Sequence, residues 1–185
     1  MLAKDASAQD GHRNAMWLCT TLLAAACASA SLVFACATPF AAFAVLAAAV
    51  LPLRSALAAI GIVWAVNQAI GFGILDYPRD LNAGAWGVVM LAAALLTTAA
   101  AAGVFRRFAG TSVYMVYPVA LMAAYAAYEI VLLALVPVLG GGDSFTFEIV
   151  GRLAFVNAIW LAAIIVAYEL LQRINGAVAA AGRSR

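Results

Sequence analysis

A few polar side chains stand inside the long apolar runs of this 185-residue sequence. They are the residues whose types could do chemistry. Glu129 is the only carboxylate deep in such a run, Asn67 and Gln68 sit together in another, and Asn157 lies in a third. Aromatic residues keep them company. Phe72 and Tyr77 follow the Asn67-Gln68 pair, Trp86 opens the next run, Tyr125 and Tyr128 precede Glu129, and Trp160 follows Asn157. A small number of polar groups among aromatics is how pockets for small molecules are lined. The chemistry offered is hydrogen bonding and stacking, so no catalytic residue is expected and the chain is not read as an enzyme. Glu129 either hydrogen-bonds a ligand or serves as a proton-coupling site. A plainer reading stands beside this one: the four polar residues bond helix to helix, and the Trp and Tyr residues form an interfacial belt.

Metal and thiol chemistry find little material. His12 is the only histidine, and Cys19, Cys27 and Cys36 all fall in the first apolar run. Their spacing forms no C-x-x-C pair, no metal-ligand set and no disulfide framework. They read as small packing residues, with a membrane thiol oxidoreductase as the rival reading. There is no P-loop for nucleotide hydrolysis.

The elements that must position these residues are membrane spans. The hydrophobic fraction is 68% and the charged fraction 10%, whereas a soluble domain is about half apolar and a quarter charged. A bilayer core needs about 20 apolar residues per helix. The expected spans are approximately 16–37, 40–53, 55–75, 86–105, 113–139 and 147–172, in one domain covering 1–185. The second is short for a bilayer, which predicts tilt, thinning or extension through its turns. The first is too long for the apolar core of a cleavable signal peptide and reads as retained.

Eight of the ten basic residues form clusters: Lys4 with Arg13, Arg54 alone, Arg106 with Arg107, and Arg173 with Arg183 and Arg185. They alternate with loops that hold Asp76, Asp80, Asp143 and Glu148. The positive-inside rule then gives an all-α, six-helix integral membrane bundle with both termini cytoplasmic. The basic residues report orientation, and no basic stripe suits a nucleic acid. On this layout Asn67-Gln68, Glu129 and Asn157 come to similar depth in the outer half, Glu129 about 15 Å down at 1.5 Å per residue. Arg152 stands near the pocket mouth, either contacting a ligand or pairing with Glu148. Glu169 is expected to pair with Arg173. The outer loops, one with Tyr77-Pro78 and Gly84, the other with Gly140 to Gly142, are either lids or plain connectors. The expected substrate-binding set is Asn67, Gln68, Phe72, Tyr77, Trp86, Tyr125, Tyr128, Glu129, Arg152, Asn157 and Trp160.

Ala24, Ala28 and Ser31 lie on one side of the first span, and Ala44 recurs with Ala48 in the second. Small residues spaced by four let helices approach closely. They serve either packing within the bundle or docking of a partner membrane protein.

In size, span number, orientation and small-residue spacing, the chain resembles the substrate-binding S component of energy-coupling-factor vitamin transporters. Within that group, the stretch from Asn67-Gln68-Ala69-Ile70-Gly71-Phe72 to Asp76-Tyr77-Pro78, with Trp86-Gly87, is similar to BtuM-type cobalamin transporters. The resemblance implies capture of a vitamin-like molecule, a corrinoid first, from the periplasmic side of a bacterial inner membrane. In that group uptake can proceed without a dedicated coupling module; an energy-coupling membrane partner, where there is one, would meet the small-residue face of the first span. No resident cofactor is implied, since cobalamin would be cargo. One departure is plain. The BtuM group is associated with a cobalt-ligating cysteine near the outer pocket, and here only Cys36 is on that side. The S-component architecture also resembles the rod-shape protein MreD, so a scaffold without substrate is the alternative.

Overall fold

A computed structural model describes residues 2–34 and 38–183, with side chains at 13–33, 38–143 and 145–176. Cys36 and the side chains of Lys4, His12, Arg183 and Arg185 lie outside the described residues. The chain forms α1 (Leu2–Phe34), α2 (Phe40–Val50), α3 (Leu53–Gly73), α4 (Leu81–Arg107), α5 (Val113–Leu139) and α6 (Phe147–Arg183). A single 3₁₀ turn, Gly142–Ser144, stands between α5 and α6. Among the described residues there is no strand. Five helices (all but α2) contain stretches long and apolar enough to cross a membrane, and the architecture is that of a multi-pass helical membrane protein.

Local chemistry sets the helix ends. Pro39 immediately precedes α2. Pro52 crowds the residue before it, so Leu51 is extended at φ −117° and ψ 149° and α2 stops there. The Asp80 side chain accepts from the Ala83 N–H at 2.8 Å and starts α4 five residues earlier than Trp86, where the apolar run suggests. Arg106 and Arg107 close the last turn of α4, the end that favours positive charge. Gly140, at φ +81°, ends α5 in a conformation that costs glycine little.

The second apolar run behaves differently from the expected tilted or thinned span. At 11 residues, α2 is about 16 Å long at 1.5 Å per residue, against about 30 Å of bilayer core. It packs against α1, α3, α4, α5 and α6. Every residue from Phe40 to Ala47 is buried. A helix apolar all round belongs inside, and here the other helices rather than lipid surround it. Its alanines, with Ala93, Ala94 and Ala101 buried on α4, permit close approach.

Thr38 and Pro39, just before α2, are sunk in the bundle, which is why α2 can be short. Asn67 Nδ2 donates to Thr38 Oγ1 at 2.9 Å and to Ser31 Oγ at 3.0 Å. That anchor lies six residues below the C-terminus of α3, about 9 Å. Four residues down each helix, the Cys27 thiol donates to the Val63 carbonyl at 3.4 Å, so α1 and α3 run parallel. The small residues divide accordingly. Ser31 and Ala44 are buried inside the bundle, whereas Ala24 and Ala28 are half-buried.

α5 and α6 are the outermost helices. Only 17% of their apolar windows is buried, against 33–39% for α1, α3 and α4. Met115, Met122, Ile130, Phe155 and Val166 face outward. Between the two helices, the Tyr125 hydroxyl donates to the Val150 carbonyl at 2.7 Å. Arg54 at the start of α3 and Arg106 and Arg107 at the end of α4 fall at one end of the bundle. The α3–α4 turn is at the other.

Candidate functional site

The strongest candidate is a cavity of about 250 Å³ between α3, α4 and the turn that joins them. Three features build it. First, Trp64 Nε1 donates to the Gly87 carbonyl at 2.9 Å and pins α3 to α4 just below the cavity. Second, Gly87 leaves room for Gln68, because a Cβ there would come within 2.7 Å of Gln68 Oε1. Third, the chain after α3 doubles back. The Tyr77 N–H donates to the Gly71 carbonyl at 3.0 Å, and Asp76 takes φ +56°, which an Asx residue tolerates better than most. Tyr77 then lies over Gly71, where a Cβ would stand 2.6 Å from its ring. Phe72 meets the Tyr77 ring edge to face, at 6.1 Å between centroids. Arg79 holds the turn from outside by donating to the Phe72 carbonyl at 3.0 Å, with Asp76 4.0 Å away.

Five of the eleven expected site residues line this cavity: Asn67, Gln68, Phe72, Tyr77 and Trp86. Pro78, Ala83, Gly87 and Met90 complete the lining. Met90 was missed by sequence reasoning, although one signal was available. It stands one turn beyond Trp86 on the same face of α4. The walls are mostly apolar and aromatic, and no lining residue carries a formal charge. Such a space takes a small neutral ring far more readily than an ion.

The other six expected residues are not among the cavity's lining, and most are occupied elsewhere. Asn157 Oδ1 accepts from the Ala42 N–H at 3.0 Å, while its Nδ2 donates to the Leu153 carbonyl at 2.9 Å. Ala42 is in the first turn of α2, where the N–H has no helical partner and Pro39 gives no side-chain cap. Asn157 therefore caps α2 from a different helix. Tyr128 stacks on Phe40 at 6.1 Å, and Trp160 meets Phe43 edge to face at 6.2 Å, so both clasp the α2 aromatics. Tyr125 bridges to α6 through Val150. Its side chain also interacts with Glu129, one turn on along α5 and buried. Arg152 is exposed on α6.

Two expected ion pairs do not form. Arg79 lies 4.0 Å from Asp76, whereas Glu148 is not within ion-pair distance of Arg152. Glu169 accepts a hydrogen bond from the Tyr114 hydroxyl at 2.6 Å, from α5, in place of an ion pair with Arg173. In each case at least one partner is a long exposed side chain, which gains too little from a surface pair to hold one geometry. Among the described residues no three His, Cys, Asp or Glu side chains gather to hold a metal. Cys19 and Cys27 are free thiols, fully buried.

Comparison with known proteins adds no relative: no family model, no curated protein and no solved structure matches the chain.

Proposed function

We propose that this is a substrate-binding membrane protein that captures a small, neutral, ring-containing molecule of vitamin size in the α3–α4 cavity and helps it inward. The observation that carries the reading is the cavity itself, walled by Phe72, Tyr77, Trp86 and Met90 with two amides, Asn67 and Gln68, in its lining. In this reading the arginine end faces the cytoplasm, by the positive-inside rule. The chain makes six passes with both termini on that side, one pass sheltered as α2, and the cavity opens on the outer side of a bacterial inner membrane. A partner that couples energy would meet the half-buried Ala24–Ala28 face of α1.

The cargo is smaller than the resemblance implies. At about 250 Å³ the cavity falls just below the usual range of small-molecule sites, which begins near 300 Å³. A corrinoid, with its macrocycle, amide arms and nucleotide loop, is several times larger. The proposal is therefore for a molecule of one or two fused rings. The test is a melting-temperature panel on detergent-purified protein with mono- and bicyclic vitamins and with cobalamin, repeated on Trp86→Ala. Stabilisation by one small-ring class, lost in Trp86→Ala, supports the reading. Retention of cobalamin through washing would overturn the size argument.

One observation favours a scaffold without substrate. Asn67 spends its amide on Ser31, Thr38 and Gln68, and Asn157 spends its own on Ala42 and Leu153, so both bond protein to protein. If no compound in the panel shifts the melt and Trp86→Ala behaves as wild type, the scaffold reading replaces the capture reading.

A further inference from the structure

Resting on the capture reading, we infer that the cavity selects planar heterocycles that carry a hydrogen-bond donor and an acceptor side by side on one edge, as a lactam does. The selecting group is the Gln68 amide.

The amide is held by a chain of hydrogen bonds that runs one way. Asn67 Nδ2 donates both its hydrogens, to Ser31 Oγ at 3.0 Å and to Thr38 Oγ1 at 2.9 Å. Asn67 Oδ1 is thereby turned towards Gln68 and accepts from its Nε2 at 3.0 Å. One Nε2 hydrogen is committed. The second, and the whole of Oε1, have no partner among the described residues. Oε1 is not sealed in protein either, since the only buried unpartnered side-chain atom among those residues is the Thr97 hydroxyl. Gln68 is half-buried and lines the cavity. Its remaining donor and acceptor are what it shows a ligand.

A primary amide with a free oxygen and a free N–H reads a complementary edge in two parallel hydrogen bonds, as Gln reads the edge of adenine. A ligand N–H would meet Oε1, and a ligand carbonyl or ring nitrogen would meet Nε2. Trp86, Phe72 and Tyr77 supply faces for a flat ring attached to that edge. The absence of charge on the lining sets the class as neutral. Gly87 completes the device: any side chain there would displace Oε1. A site built to hydrogen-bond a group rejects the analogue lacking it, because its own buried polar atoms are left unpaired.

The probes are quinazolinone, a bicyclic aromatic lactam, and its derivative methylated on the lactam nitrogen. Their affinities for the full-length protein in detergent are measured by titration calorimetry, with quinoline as a ring lacking the edge. Wild type should prefer quinazolinone over the methylated compound by about tenfold, the scale set by one unpaired amide. Gln68→Met and Gly87→Ala should each shrink that preference to within about twofold. Equal wild-type affinities for the pair overturn the inference while leaving the capture reading in place. A preference that survives in Gln68→Met also overturns it, since another group then reads the edge. No heat with any of the three rings overturns the inference, and the melting panel then decides the capture reading separately. The wild-type comparison decides the matter even if a variant fails to fold.

Discussion

The α3–α4 end and the α5–α6 side of this bundle carry polar residues that look alike in sequence but do different things. At the α3–α4 end, a Gln amide sits half-occupied beside a cavity walled by aromatics. On the α5–α6 side, Asn157 is spent on the first turn of α2, Tyr125 on Val150, and Tyr128 and Trp160 on the α2 aromatics. Both sides place amides and aromatics in the half of the bundle away from Arg54, Arg106 and Arg107. The difference lies in what each faces. α5 and α6 must close over a short internal helix whose end brings unsatisfied N–H groups. α3 and α4 instead are pinned together at Trp64 and roofed by a folded-back turn, with the cavity between. Buried polar residues in a membrane protein can thus be functional or architectural at the same depth. Hydrogen-bond accounting separates the two.

That accounting ranks the expected damage. Asn67→Leu should do the most. It removes the acceptor for Gln68 and the donor to two buried hydroxyls, Ser31 and Thr38. The cost should be on the order of 3 kcal/mol, at about 1 kcal/mol or more for each stranded group. Binding should fall too, because Gln68 loses its orientation. Asn157→Leu should be next, at about 2 kcal/mol, the upper range for losing a helix cap. If the two sides differ as described, Asn157→Leu lowers the melting temperature but leaves the affinity of the folded fraction for a cavity ligand unchanged. A large affinity loss in Asn157→Leu would show that the α5–α6 side takes part in the site.

The sequence carried most of the fold and about half of the cavity. The bounds 113–139 were legible as α5, because the run is apolar throughout apart from Glu129 and three glycines follow it. The shortness of α2 was visible between Pro39 and Pro52. Its enclosure was not, since a run such as Phe-Ala-Ala-Phe-Ala-Val-Leu is equally apolar against lipid or protein. The cavity half could be read because Asn67, Gln68, Phe72, Tyr77 and Trp86 lie close together along the chain and one turn brings them face to face. The other six candidates were grouped by depth alone. Depth fixes height along a helix but not its rotation, and rotation turned Asn157 and Trp160 towards α2. The bond from Asn157 to Ala42 crosses 115 positions, and no local pattern announces it.

A sharper probe of the α3–α4 end is Gly71→Ala. The added methyl would stand 2.6 Å from Tyr77 Cδ2, so the ring and the turn carrying it must move. Helix propensity pulls the other way, since Ala is favoured over Gly by roughly 1 kcal/mol within a helix. The net stability change should be small, below about 1 kcal/mol. The cavity, however, loses its Tyr77 wall, and affinity for a bound ring should drop by about tenfold on the scale of one lost aromatic contact. Calorimetric titration beside a thermal melt separates the two effects. An unchanged affinity would mean that Tyr77 covers the cavity without touching what binds there.

The smallest effect is expected at Arg152, and it tests the boundary between the two regions. Arg152 is exposed, has no ion-pair partner among the described residues, and stands on α6. Exposed substitutions away from caps, cores and networks usually change stability by less than about 0.5 kcal/mol. Arg152→Ala should therefore leave the melting temperature within about 1 to 2 degrees of wild type. Affinity for a neutral ring should not move, because the cavity is lined by α3, α4 and their turn. A weaker affinity only for ligands carrying a carboxylate or phosphate, with stability intact, would redraw that line. It would place a cation from α6 over the mouth of a cavity whose lining has none, and the site would then span both regions.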